Sequence, residues 1–121
     1  MLFLTTERVL EIHVSAVVSA YPGDCDVARL DSAVHAVESY ASYGDPEDTF
    51  DLGAAYAFYI CEAHTFVDGN KRTAFVACMD FLELNGVRTH HYNRTEPALW
   101  MLDLAKKQLT RAGFAENLRL R

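Results

Sequence analysis

The residues with the most chemical content fall in one short stretch, His64-Thr65-Phe66-Val67-Asp68-Gly69-Asn70-Lys71-Arg72-Thr73. An imidazole with an ordinary pKa of about 6.5 can take a proton from an attacking hydroxyl, which makes His64 a candidate base. Asp68 offers an oxygen ligand suited to Mg²⁺, which uses one or two carboxylates and completes its shell with substrate phosphates. Gly69 is free to take positive φ and Asn70 tolerates the left-handed region, so successive backbone N–H groups can form an anion nest where a helix begins. Lys71 and Arg72 then stand in the first turn of that helix, where cations are unfavourable unless something negative binds beside them. Base, metal carboxylate, anion nest and cations are together the parts of phosphoryl or nucleotidyl transfer. The run does not make a Walker loop, whose glycines would have to stand where Thr65 and Asn70 are. Each part has a plainer reading: a structural histidine at a helix end, a solvated Lys-Arg pair, an Asp-Gly-Asn turn. What separates this stretch from those readings is their convergence within a few residues.

A loop of this kind needs a helix that ends before it and another that begins after it, and the apolar spacing supplies both. A segment from Asp48 or Thr49 to about Ala63 carries Leu52, Ala55, Tyr56, Tyr59, Ile60 and Ala63 on one face. Ala54, Ala57 and Phe58 extend that face nearly all round, the pattern of a buried central helix. From about Lys71 to Leu84, Phe75, Val76, Met79, Phe81 and Leu82 recur at helical spacing before Asn85-Gly86, a left-handed terminator. Upstream, the periodicity predicts helices over about Thr6–Ala20, with Thr5 as N-cap, and over about Val27–Tyr43, ending at Gly44-Asp45-Pro46. Downstream, Val87–Tyr92 reads as a short β-branched and aromatic connection. Thr95-Glu96-Pro97 opens a fifth helix that Gly113 should close, and Phe114–Arg121 adds a final short helical turn. No segment alternates with period two, so the expectation is an all-α bundle of about five to six helices, with the loop at the N-terminus of the fourth.

At 121 residues the chain fits one domain, residues 1–121, and half of it is hydrophobic while 23% is charged, which excludes a disordered chain. No uncharged stretch is long enough to cross a bilayer and no signal peptide is visible, so a soluble, cytoplasmic protein is expected. The formal charge of −6 is uneven. Residues 1–63 hold Arg8 and Arg29 against eleven acids, a balance of −9, and residues 64–121 hold nine basic residues against six acids, a balance of +3. An acidic chain is a poor match for duplex nucleic acid, so direct nucleic-acid binding is not expected, whereas the second half can hold a small anion. Cys25, Cys61 and Cys78 are odd in number and lack CxxC spacing, which favours buried thiols over a zinc ribbon or a disulfide framework.

His64-x-Phe66-x-Asp68-Gly69-Asn70-Lys71-Arg72 resembles the H-x-F-x-[D/N]-[A/G]-N-K-R motif of the death-on-curing (Doc) toxins, a branch of the Fic superfamily. Leu52-Gly53-Ala54-Ala55-Tyr56, Phe81-Leu82-Glu83-Leu84-Asn85-Gly86 and Ile12-His13 also look like the family, and the likeness extends over about residues 4–112. The resemblance implies a compact Fic-type helical fold and a toxin of a toxin–antitoxin module. Typical Fic enzymes carry a second glycine where Lys71 stands and transfer AMP; Doc-type proteins pass the γ-phosphate of ATP to a threonine of elongation factor Tu and arrest translation. Carried onto this chain, His64 would be the catalytic base, Asp68 the Mg²⁺ ligand, and Gly69, Asn70, Lys71 and Arg72 the nucleotide phosphate-binding residues. Phe66 would anchor the loop in the core. A protein AMP transferase, or a silent module that only binds nucleotide or a partner, are the alternative readings.

The chain departs from the family at Tyr21-Pro22-Gly23-Asp24-Cys25-Asp26, which is shorter than the usual glycine-rich stretch and lacks its arginine. The flap that positions the target should lie there. No inhibitory helix of the kind that restrains some Fic enzymes is visible, so restraint is expected from a separate antitoxin of the Phd type whose tail folds on binding. His90 and His91 should point to opposite sides and serve the surface, His13 and His35 read as interfacial or capping residues, and Trp100 as core. Lys106, Lys107 and Arg111 read as a basic helix end.

Overall fold

A computed structural model describes residues 1–17, 25–66, 68–92 and 95–121. The regular elements among them are α1 (Thr6–Ala16), α2 (Val27–Tyr43), α3 (Thr49–Ala63), α4 (Asn70–Leu84), α5 (Thr95–Ala105) and α6 (Arg111–Leu120). Extended backbone pairs once among these residues, in an isolated antiparallel bridge between Cys25 and Phe66. The fold is all-α, and no described helix is long and apolar enough to cross a membrane.

α3 is the axis of the bundle and packs against α2, α4, α5 and α6. Leu52, Ala54, Ala55, Tyr56, Ala57 and Ile60 are essentially sealed from solvent, as a helix apolar nearly all round must be. Its small residues let α4 approach closely. A Cβ on Gly53 would lie 3.0 Å from Leu82 Cδ2 and 3.4 Å from Cys78 Sγ. The hydroxyl of buried Tyr56 accepts the N–H of Leu4 at 2.8 Å, a partner that a phenol taken out of water requires. Burial pushes its pKa up to about 12. α1 lies across α4 and α2. Arg8 fastens it to α4 through two bonds of 2.9 Å to the carboxylate of Asp80.

The helix starts differ in a way that matters for the site. Thr5, Asp26, Asp48 and Thr110 each offer a side-chain oxygen to a backbone N–H in the first turn of α1, α2, α3 and α6, which satisfies one of the donors that every helix start leaves open. α4 begins instead on Gly69, with φ 84° and no side-chain cap.

Two expectations are corrected. The first helix ends at Ala16, because Val17 is extended with φ −116° and ψ 115° while its N–H still reaches His13 O; Ala20 and Tyr21–Asp24 lie outside the described residues. The fifth helix ends at Ala105 rather than at Gly113. Lys107 takes φ 63°, and Thr110 caps a new helix by accepting the N–H of Gly113 at 3.0 Å. Gly113 therefore sits in the first turn of α6, and the expected final turn is a ten-residue helix. Arg111 opens that helix instead of ending the previous one: its guanidinium lies 4.0 Å from the Tyr40 ring centre and donates to the Tyr59 hydroxyl at 2.9 Å.

Candidate active site

The motif loop joins the end of α3 to the start of α4, and each of its described residues has a definite place. His64 is the C-cap of α3 in the left-handed region, φ 48° and ψ 47°, and is exposed. A non-glycine residue held there is uncommon and carries local strain of order 1 kcal/mol, which surrounding structure must offset. The rest of the loop supplies that structure. Phe66 is 4% exposed. Its ring stacks on the buried ring of His13 at 3.8 Å between centres and 13° between planes. Its backbone pairs with Cys25, and the neighbouring Thr65 carbonyl accepts the N–H of Asp26 at 2.9 Å. Phe66 thus pins the loop on both its side-chain and its backbone faces.

Asn70 completes the clamp. Its Oδ1 accepts the N–H of Phe66 at 3.1 Å and its Nδ2 donates to the Phe66 carbonyl at 2.9 Å. The oxygen and one hydrogen of the amide are spent inside the protein, which leaves the backbone N–H of Asn70 and the second Nδ2 hydrogen as its remaining donors. The side chain thereby shapes the loop by clasping the Phe66 backbone.

Asp68 is exposed, and its carboxylate Oδ1 accepts the N–H of Gly69 at 2.9 Å. Its carbonyl is bonded to His13 Nε2, also at 2.9 Å. Gly69, at φ 84°, sits against Val17, and a Cβ there would come within 2.4 Å of Val17 Cγ2. Lys71 and Arg72 occupy the exposed first turn of α4, and Arg72 Nη1 reaches the Ala16 carbonyl at 3.4 Å, at the end of α1. Val67 lies outside the described residues.

The electrostatic character of this corner is clear. An uncapped helix start presents unsatisfied N–H groups and the positive end of the helix dipole. Two cations are added in the same turn, a placement that favours an anion beside them. A single exposed carboxylate beside a would-be phosphate suits Mg²⁺, which takes few protein ligands; a cation here would need phosphate oxygens for the rest of its shell. No group of three or more His, Cys, Asp or Glu that could hold a metal gathers among the described residues. Among the described residues, the buried hydroxyl of Thr73, just past the loop, has no hydrogen-bond partner.

The remaining candidates lie elsewhere. Cys61 and Cys78 are buried and Cys25 is half-buried, all as free thiols. Burial pushes each thiol pKa up, at Cys25 with a further push from the charge of Asp26, so none is poised as a thiolate. His90 and His91 are both exposed, with rings at 87° to each other. His35 is exposed and bonds the Asp31 carbonyl through Nδ1 at 2.8 Å. Trp100 is half-buried, edge-on to Phe114. His13, an interfacial or capping residue in the sequence, is interfacial and lies beneath the loop, and its contact with the site is what sequence reasoning misses. Its one signal was its place beside Ile12, on the buried face of an amphipathic helix.

Comparison with known proteins bears on this arrangement. A model of the Fic/DOC family matches residues 3–82, well over half of the chain and ending short of the expected limit near 112. The protein named Toxin Doc from Mycolicibacterium smegmatis is 38% identical over 65 residues, which cover 54% of this chain and 45% of that protein. The matched stretch therefore spans less than half the length of that relative.

Proposed function

This chain belongs to the Fic/DOC family, and from that premise we propose that it is the toxin of a toxin–antitoxin module, an ATP-dependent kinase acting on a Ser or Thr hydroxyl of a translation factor of the elongation factor Tu type. The observation that carries the proposal is the start of α4: alone among the helices whose caps are described, it has no side-chain cap, and it begins at a positive-φ glycine between His64 and the Lys71-Arg72 pair. The likeness to Toxin Doc supports the toxin reading, and Lys71 in place of a second glycine supports γ-phosphate transfer over AMP transfer.

In this reading the nucleotide phosphates lie against the N–H groups of Gly69, Asn70 and Lys71, with the Lys71 and Arg72 side chains over them. Mg²⁺ held between Asp68 and the phosphates would supply further charge neutralisation. His64 accepts the proton of the target hydroxyl as its oxygen bonds to the γ-phosphorus. The bond from that phosphorus to the bridging oxygen breaks, and ADP leaves with the electron pair. A cognate antitoxin of the Phd type would restrain the protein in the cytoplasm, where its target works.

The test is label transfer into a bacterial lysate from γ-labelled and, separately, α-labelled ATP, with the intact protein and with His64→Ala. Label from the γ position alone should reach one protein band, and His64→Ala should lower transfer by at least about 100-fold, the usual worth of a general base. Label from the α position would make the protein an AMP transferase. Full transfer by His64→Ala would remove His64 as the base.

A further inference from the structure

We propose that His13 is a positioning residue of the site, the group that sets the orientation of the Asp68–Gly69 peptide and so aims the N–H of Gly69 at the bound anion. The inference rests on the reading of the loop as a phosphate site. His13 lies on α1, is 3% exposed, and touches the loop in two ways: its ring stacks on Phe66 and its Nε2 meets the Asp68 carbonyl at 2.9 Å. The carbonyl can only accept, so Nε2 carries the proton and donates it.

The consequence follows from the geometry of the peptide bond. None of the peptide bonds among the described residues is cis, and in a planar trans peptide the C=O and the following N–H point in opposite directions. A carbonyl of Asp68 drawn toward α1 therefore turns the N–H of Gly69 away from it, to the outer side of the loop. On that side the N–H already meets a negative oxygen, Asp68 Oδ1 at 2.9 Å. Without a donor at position 13 the same peptide can rotate as a unit. Gly69, at φ 84°, is the residue type that best tolerates such a rotation, and the rotated peptide would present a carbonyl oxygen to the anion.

His13→Gln keeps an N–H donor near the position of Nε2 and loses the stacked ring; His13→Phe keeps the ring and loses the donor. The experiment follows the Gly69 amide by ¹⁵N NMR during titration with Mg²⁺–ATP and, separately, with pyrophosphate. In the unaltered protein the Gly69 signal should move with both, and the His13 ring should be the Nε2–H tautomer, with a coupling across the bond to the Asp68 carbonyl. His13→Phe should bind about tenfold more weakly, the usual cost of a lost buried hydrogen bond, and His13→Gln should stay within about threefold of the unaltered protein. Equal binding by His13→Phe, or binding by His13→Gln as weak as that of His13→Phe, would reduce His13 to packing and overturn the inference. So would an Nδ1–H tautomer or a Gly69 signal that ignores both anions, readings that need no variant to fold. A Gly69 signal that moves with Mg²⁺–ATP in a protein that transfers no label would defeat the kinase reading and leave the role of His13 standing.

Discussion

Gly69 has almost no latitude. At φ 84° any side chain costs about 1 kcal/mol in backbone strain, and a Cβ would meet Val17 Cγ2 at 2.4 Å and Cγ1 at 2.7 Å. Gly69→Ala should lower stability by about 1–3 kcal/mol in urea unfolding and weaken nucleotide binding. Adding Val17→Ala should return part of both, because it opens the space the methyl needs; a double variant no better than Gly69→Ala would mean that strain alone is at work. The left-handed glycine and the Lys71-Arg72 pair were readable from residue types, since each type has few uses in that position. The clasp of the Asn70 amide was not, because nothing in the sequence says that the amide turns back to the Phe66 backbone. His13 was hidden for a related reason. Its partner Asp68 stands 55 positions away, and helical periodicity reports only that a side chain is buried, never what it is buried against.

Between elements, the firmest latch outside the site ties α6 to the start of α3. Arg119 grips the Asp48 carboxylate with bonds of 2.7 and 2.9 Å and reaches Asp51 at 3.2 Å. The Arg119 hydrogen bond holds the Asp48 carboxyl below its usual range. A carboxylate whose folded pKa is depressed adds stability above its unfolded value of about 3.9, and that stability is lost as pH falls through the folded value. Arg119→Ala should therefore cost about 1 kcal/mol in urea unfolding at pH 7, solvent screening included. The gap should close as pH falls through the depressed pKa of Asp48 in the unaltered protein, below which both proteins carry a neutral Asp48. A gap independent of pH would assign the whole effect to packing of the arginine stem. The helices flanking the loop were legible because Asp48 and Asn85-Gly86 mark their outer ends with ordinary cap chemistry. The break between α5 and α6 was not. No glycine or proline stands between Pro97 and Gly113, the chain turns through Lys107 at positive φ, and the glycine that resembled a stop belongs to the next helix.

Over the whole molecule, the loop is assembled from parts far apart in sequence. α1 holds it from below through His13 and Val17, the segment entering α2 pairs with it through Cys25, and α4 clips it through Asn70. All of these rest on α3, α4 and the core around Tyr56 and Phe81, whose ring centres lie 4.9 Å apart. Heating should therefore abolish Mg²⁺–ATP binding in the same transition that removes the near-ultraviolet dichroism of the buried aromatics. Loss of binding several degrees earlier would show that the loop melts by itself.

The bond between His13 and Asp68 also has a meaning in time. At roughly 5–20 residues per second of synthesis, a separation of 55 positions is an interval of about 3–11 s between the appearance of the donor and of its acceptor. The body of α4, which must support the loop, emerges later still. A growing chain that already displays His64 through Arg72 thus has no set loop, and the site begins to exist only once α4 has docked on α1 and α3. After that interval there is a second one, before α4 has docked, in which the motif is present in sequence while its loop is not yet set.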